Sequence, residues 1–124
     1  MTWDDHEVDN DYADDESEDL DPNFLVRRAA AYQAYYEHMP LAPRALPRGP
    51  SAQIYDSFAF GELATFFVLD DRQYRAHEAC PKPGRGGSNV VADCAARVAP
   101  ERSMLGAVQE AWLKDGLART RTKW

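Results

Sequence analysis

A chain of 124 residues, 44% hydrophobic and 28% charged, accommodates at most one domain of ordinary size. Its net charge of −7 is uneven: residues 1–22 carry eleven Asp or Glu and no Lys or Arg, whereas residues 23–124 carry ten acidic against fourteen basic side chains. An acidic segment repels a phosphate backbone, which argues against a nucleic-acid platform, and no apolar run reaches the ~18 residues of a membrane span. No charged leader followed by an apolar stretch is present in these residues, so no signal peptide is read in them.

In chain order the first feature is Trp3-Asp4-Asp5-His6-Glu7-Val8-Asp9-Asn10. Carboxylates are hard donors for Ca, Mg, Mn or ferric-type ions. An imidazole beside them can ligate, donate a proton or hold an oxyanion. The plainer reading is an acidic surface loop with one incidental His, and composition alone favours it, because four polar residues make an unspecific motif. Trp3 and Val8 can anchor such a loop. Residues 9–23 are acidic and nearly free of apolar groups, which predicts a solvated loop. A calcium-loop register fails. Counted from Asp4, the sixth and twelfth positions are Asp9 and Asp15; counted from Asp9 they are Asp14 and Leu20, where Gly and Glu are needed.

Asp21-Pro22 reads as a helix start, with Asp as N-cap and Pro at the first helical position. The helix runs over 24–39, with Phe24, Arg28, Tyr32, Tyr35, Tyr36 and Met39 on adjoining rows, and Pro40 stops it. Its tyrosines read as packing residues with polar tips, and His38 as a partner for the helix C-terminus. Residues 40–50 hold four prolines and a glycine and predict an extended loop. Residues 57–63 read as a strand running into a tight turn. Residues 64–70 form the most continuous apolar run, expected to be a strand buried on both faces, paired with its predecessor through Phe58/Phe60 and Phe66/Val68.

Arg72 and Arg75 follow that strand. They can grip a phosphate, but arginines in such loops more often pair with nearby acids such as Asp70, and that reading is preferred. His77 lies in an irregular stretch and reads as incidental. The glycines at 84, 86 and 87 follow no strand and open no helix, so no phosphate cradle is read there. Cys80 and Cys94 flank a Gly/Pro loop. One disulfide, worth ~3 kcal/mol, and two free thiols are both open readings. Neither CxxC nor paired His accompanies them, which argues against zinc. A last helix is expected over 107–119, capped by Gly106, with Gln109 at the third helical position and Val108, Ala111, Trp112 and Leu117 inward. Two helices and two or three strands do not close a core around a doubly buried strand, so a piece of a larger domain is expected.

Taken together, four blocks resemble the alkaline phosphatase D (PhoD-like) family: residues 2–10, Ala34-Tyr35-Tyr36-Glu37-His38-Met39-Pro40, residues 66–75 from Phe66 to Arg75, and residues 104–113 from Met104 to Leu113. Their order matches, and the likeness spans nearly the whole chain. The resemblance implies an α/β chain that is an incomplete part of a layered, calcineurin-like metallophosphoesterase fold. Residues 1–23 would be an acidic active-site loop, and 24–124 helix, strand pair, irregular loop and helix. It implies hydrolysis of phosphate mono- and diesters with calcium and iron as metals, a metal-held hydroxide attacking phosphorus, and small phosphate esters as substrates.

On this likeness Asp5 is a metal ligand, Asp4 its rival, and His6 the catalytic residue at the phosphate, with Glu7 and Asn10 supporting them from behind. Asp71 stands where the family often has Thr. The family's earlier blocks with Cys, Tyr and Asp ligands and its later His blocks are missing from these residues. Cys80 and Cys94 lie in the wrong region to replace the missing Cys. An extracellular or periplasmic location is implied, and it fits the disulfide reading. Poor or no activity is therefore expected of this chain alone. The alternative from another class is a non-catalytic acidic cation-binding or interaction module. Oligomeric state is set by none of these features.

Overall fold

The computed structural model describes residues 2–124. Two helices, α1 (Phe24–His38) and α2 (Gly106–Arg119), and one hairpin of β1 (Asp56–Phe60) and β2 (Ala64–Val68) are joined by long irregular segments with two 3-10 turns, Pro43–Ala45 and Ala95–Val98.

Helix α1 starts later than the Asp-Pro pair suggested. Asn23 is the N-cap, and Asp21 lies outside it, its Oδ1 accepting the Asn23 N–H at 2.8 Å. The helix ends where Met39 turns extended ahead of Pro40. Phe24, Arg28 and Tyr32, four residues apart, form its buried row. The main apolar cluster joins Phe24 and Tyr32 to Val8 and Tyr12 from the N-terminal segment and to Ala52 and Ile54, with Trp3 and Tyr35 at its edge. Trp3 stacks on Tyr35 with ring centroids 4.2 Å apart. The acidic segment is thus pinned rather than freely solvated. Tyr12 is fully buried, its hydroxyl 3.3 Å from that of Tyr32, and burial pushes the Tyr12 phenol up to about 12. Trp3 and Tyr12 anchor the stretch, while its carboxylates at 9–23 stay exposed or half-buried, as expected of a solvated run.

The hairpin is antiparallel, with Phe58 opposite Phe66 and Phe60 opposite Ala64. Gly61 takes the left-handed conformation (φ +54°) that its tight turn requires. The pairing matches expectation, but the double burial does not. Phe58, Phe60 and Phe66 are exposed, while Phe67 on the opposite face packs on Trp112 at 5.7 Å. Only one face of the sheet meets α2. The chain's C-terminal residues run along the other edge of the turn, with the Thr65 N–H donating to the Trp124 carbonyl at 3.0 Å.

Helix α2 is rotated relative to the expected face. Val108 and Leu117 are exposed, and Gln109 is its buried residue. Two contacts set this rotation. Gly116 lies so close to the Phe67 ring that an added Cβ would meet it at 2.3 Å. Gln109 clasps the backbone of Asp70, accepting its N–H at 2.8 Å and donating to its carbonyl at 2.7 Å. Gln109 therefore does not act as a reciprocal cap; Ser103 Oγ accepts the N–H groups of Leu105 and Gly106 instead.

Candidate active-site loop

The loop begins as a single helical turn. The Val8 and Asp9 N–H groups both donate to the Asp5 carbonyl at 2.8 Å, and Glu7 accepts the Asp4 N–H at 3.1 Å. Trp3 on one side and Val8 on the other bury the turn against α1, which leaves Asp5 4% exposed. Asp11 then adopts φ +52°, and its N–H donates to Asp5 Oδ2 at 2.7 Å. His6 is on the opposite side of the turn, its side chain 80% exposed and its Nε2 3.9 Å from the same Asp5 oxygen.

The second half of the site comes from the loop after β2. Arg72 reaches back across the sequence, with Nε 2.6 Å from Asp4 Oδ1 and Nη2 3.1 Å from Asp5 Oδ1. Its Nη1 is buried without a hydrogen bond, 3.9 Å from Asp11 Oδ1. The arginine does pair with acids, but these are Asp4 and Asp5 rather than the Asp70 carboxylate. Asp70, 2% exposed, turns inward, and its Oδ1 accepts the N–H groups of Arg72 (3.1 Å) and Gln73 (2.9 Å). Gln73 in turn pairs with both backbone groups of Ala52, at 3.0 and 2.6 Å. Gln109, Asp70, Gln73 and Ala52 thus form one satisfied buried polar network. It ties α2, the end of β2 and the core together, and Arg72 projects from it.

Electrostatics follow from these contacts. Burial alone would raise the Asp5 carboxyl. The Asp11 amide, with Arg72 and His6, outweighs it and holds Asp5 below its ordinary value of 3.8. Asp70 goes the other way: burial raises it despite the hydrogen bonds from Gln73 and Arg72. Arg72 is raised above its ordinary value, its own burial being outweighed by the hydrogen bond to Asp4 and the charge of Asp5.

The other expected residues are dispersed. Asn10 turns away from Asp4 and Asp5, its Nδ2 bonding to Glu18. The acidic run is balanced by body arginines: Arg27 pairs with Asp9 and Asp21, and Arg85 with Glu18 (2.6 Å) and Asp19 (3.0 Å). Cys80 and Cys94 form a disulfide, closing the irregular segment. His77, read as incidental, is not alone. Its Nε2 lies 2.8 Å from Asp15 Oδ1, and among the described residues Asp14, Asp15 and His77 bring three donor atoms within 4.8 Å of one another. All three are exposed. Sixty-two positions separate His77 from Asp15, so no local pattern could have paired them.

Carboxylates and imidazole are the donor types a hard cation takes, and Asp4, Asp5 and His6 fit one chemically. Asp4 Oδ2 is left uncommitted by the Arg72 contact, which uses Oδ1. No trio of donors converges at this loop among the described residues.

The PhoD-like phosphatase profile matches residues 1–124. The chain belongs to the PhoD-like phosphatase family. It is similar to alkaline phosphatase D of Bacillus subtilis (strain 168), 45% identical over 127 residues that cover 100% of this chain and 21% of that protein. It is similar also to the solved structure of PhoD, at 46% identity and a TM-score of 0.86, over 99% of this chain and 23% of that one. The chain therefore spans about a fifth of the length of the curated relative. Within the family frame, its two helices and two-stranded sheet correspond to part of the PhoD α/β structure.

Proposed function

We propose that this chain contributes the Asp4-Asp5-His6 loop of a metal-dependent phosphoric ester hydrolase acting on small phosphate esters. The whole-chain match to the PhoD-like family carries the reading, since the loop, α1, the segment after β2 and α2 all fall within it. The surrounding domain is proposed to be the layered metallophosphoesterase type, with the hairpin's exposed Phe58–Phe66 face as part of its interior. The Cys80–Cys94 bond supports an oxidising compartment outside the cytoplasm.

In this reading Asp5 and Asp4 hold a divalent or ferric cation, calcium and iron being the implied metals. Such a cation supplies Lewis acidity toward phosphoryl oxygens and acidifies coordinated water. Asp5 suits the role because it is ionised and held in a fixed arrangement by the Asp11 amide and Arg72. His6 is exposed beside it and can meet a phosphate oxygen or give a proton to the leaving group from Nε2. Glu7 acts by holding the Asp4 backbone.

The test is hydrolysis of p-nitrophenyl phosphate and bis-p-nitrophenyl phosphate, with added Ca, Fe or Mn, by a family-length polypeptide carrying these residues. His6→Ala is expected to lower turnover about 10²–10⁴-fold. Unchanged turnover would remove His6 from the mechanism. A second reading, a non-catalytic cation-binding module, draws on the exposed Asp14–Asp15–His77 group. Cation binding abolished by Asp15→Asn, with no hydrolysis, would favour it.

A further inference from the structure

The contact between Arg72 and the N-terminal loop is a long-range polar link, joining residues 67 and 68 positions apart. A loop arginine facing two adjacent carboxylates has three possible roles. It can grip a substrate phosphate, stand in for a cation and leave when one arrives, or set the geometry of the carboxylates. Substrate gripping requires free donors facing solvent, but the Arg72 side chain is 13% exposed, with Nε and Nη2 committed to the acids and Nη1 buried. A stand-in has to swing away. Arg72 is fixed at both backbone groups, its N–H by Asp70 Oδ1 at 3.1 Å and its carbonyl by the Asp14 N–H at 2.9 Å. Asp70 and Gln73 are themselves locked into the buried network. The backbone at the base of this side chain is thus held from both sides.

We infer that Arg72 is the positioning residue of the Asp4–Asp5 pair, holding both carboxylates in one arrangement for a divalent cation. This rests on the reading of Asp4 and Asp5 as metal ligands. The guanidinium takes one oxygen of each carboxylate in a fork that its planar geometry suits, Oδ1 in both cases. Asp4 Oδ2 is left free, and Asp5 Oδ2 faces His6 Nε2 while accepting the Asp11 N–H. Without Arg72, Asp4, Asp5 and Asp11 would face one another with no cation between them. Asp5, being buried, would then lose its fixed place. Partners of this kind behind a metal ligand typically set affinity by about 10–100-fold.

The experiment is a calorimetric titration of a family-length polypeptide carrying these residues with CaCl2, comparing the wild type with Arg72→Met, Arg72→Lys and Asp5→Asn, each checked for folding by circular dichroism. Arg72→Met is expected to weaken calcium binding by about 10–100-fold, and Arg72→Lys to recover part of the loss, because an ammonium restores the charge but not the fork. Calcium bound as tightly or more tightly by Arg72→Met, with binding lost in Asp5→Asn, would show that the guanidinium competes with the cation and would overturn the inference. Unchanged affinity in Asp5→Asn, or no binding by the wild type, would instead sink the ligand reading and the inference with it. Should Arg72→Met fail to fold, Arg72→Lys decides: a several-fold weakening supports the inference, and wild-type affinity overturns it.

Discussion

Two clusters in this chain combine two aspartates with a histidine: Asp4, Asp5 and His6 in the first turn, and Asp14, Asp15 and His77 nearby. Judged by donor convergence alone, the His77 cluster is the better cation site, with three atoms within 4.8 Å. Judged by construction, it is the poorer one. Its three side chains are all exposed, whereas Asp5 is 4% exposed, bonded by a backbone amide and gripped by an arginine that a buried network holds in place. Proximity of charges at a surface costs little and implies little. A charge kept ionised in a buried place requires dedicated partners, and those partners mark the His6 cluster as the built one.

The comparison can be broken most sharply on catalysis. His6→Ala in a family-length polypeptide is expected to cost about 10²–10⁴-fold in turnover, whereas His77→Ala should leave the rate near that of the wild type. Equal losses in the two variants would erase the distinction. Next in size is the disulfide. Reduction of Cys80–Cys94 should destabilise the chain by ~3 kcal/mol in urea unfolding. It should loosen the 76–94 segment, which meets the N-terminal loop through Ser88 and Asp11, and leave the bonds of Arg72 to Asp4 and Asp5 intact, so amide exchange should rise at 76–94 and not at 4–9.

The buried network supplies a third test. Gln109→Ala strands the Asp70 N–H and carbonyl in the interior, for an expected loss of about 2–4 kcal/mol in the same unfolding measurement. A loss near zero would mean that Asp70 is not anchored by α2. The acid network also predicts a pH signature. Burial raises the folded-state pKa of Asp70 above 3.8, so its charge works against folding at neutral pH. Its contribution should therefore become more favourable as pH falls through the folded value toward 3.8, and Asp70→Asn should lose that rise in Tm. A rise of equal size in the variant would assign the effect elsewhere. Smallest of all, Asp15→Asn should shift stability by no more than about 0.5 kcal/mol, as expected of an exposed pair.

What could be read in the sequence was local. Trp3-Asp4-Asp5-His6 is contiguous, so its chemistry was visible at once. Helix α1 announced itself through Phe24, Arg28 and Tyr32, and the hairpin through its alternating phenylalanines. Long-range pairing was not legible. Arg72 could be assigned to an acid but not to Asp4 and Asp5, because nothing in the local pattern fixes which of the neighbouring carboxylates turns inward. Asp70 did so, leaving the arginine to reach across. The inward face of α2 was misjudged for a related reason: its one fully buried residue is Gln109, a polar side chain that only a backbone partner elsewhere makes acceptable. The acidic run read as solvated and its carboxylates do stay exposed or half-buried; what was not legible is its anchoring by Tyr12 and by arginines at 27 and 85.

The most direct measurement sets the two clusters side by side: calcium titration of a family-length polypeptide, wild type, Asp5→Asn and Asp15→Asn, under identical salt. Binding that is lost in Asp5→Asn and within about twofold of wild type in Asp15→Asn is the predicted result, an exposed pair contributing little. Loss of calcium in Asp15→Asn with full binding in Asp5→Asn would contradict the account and move the metal site to His77.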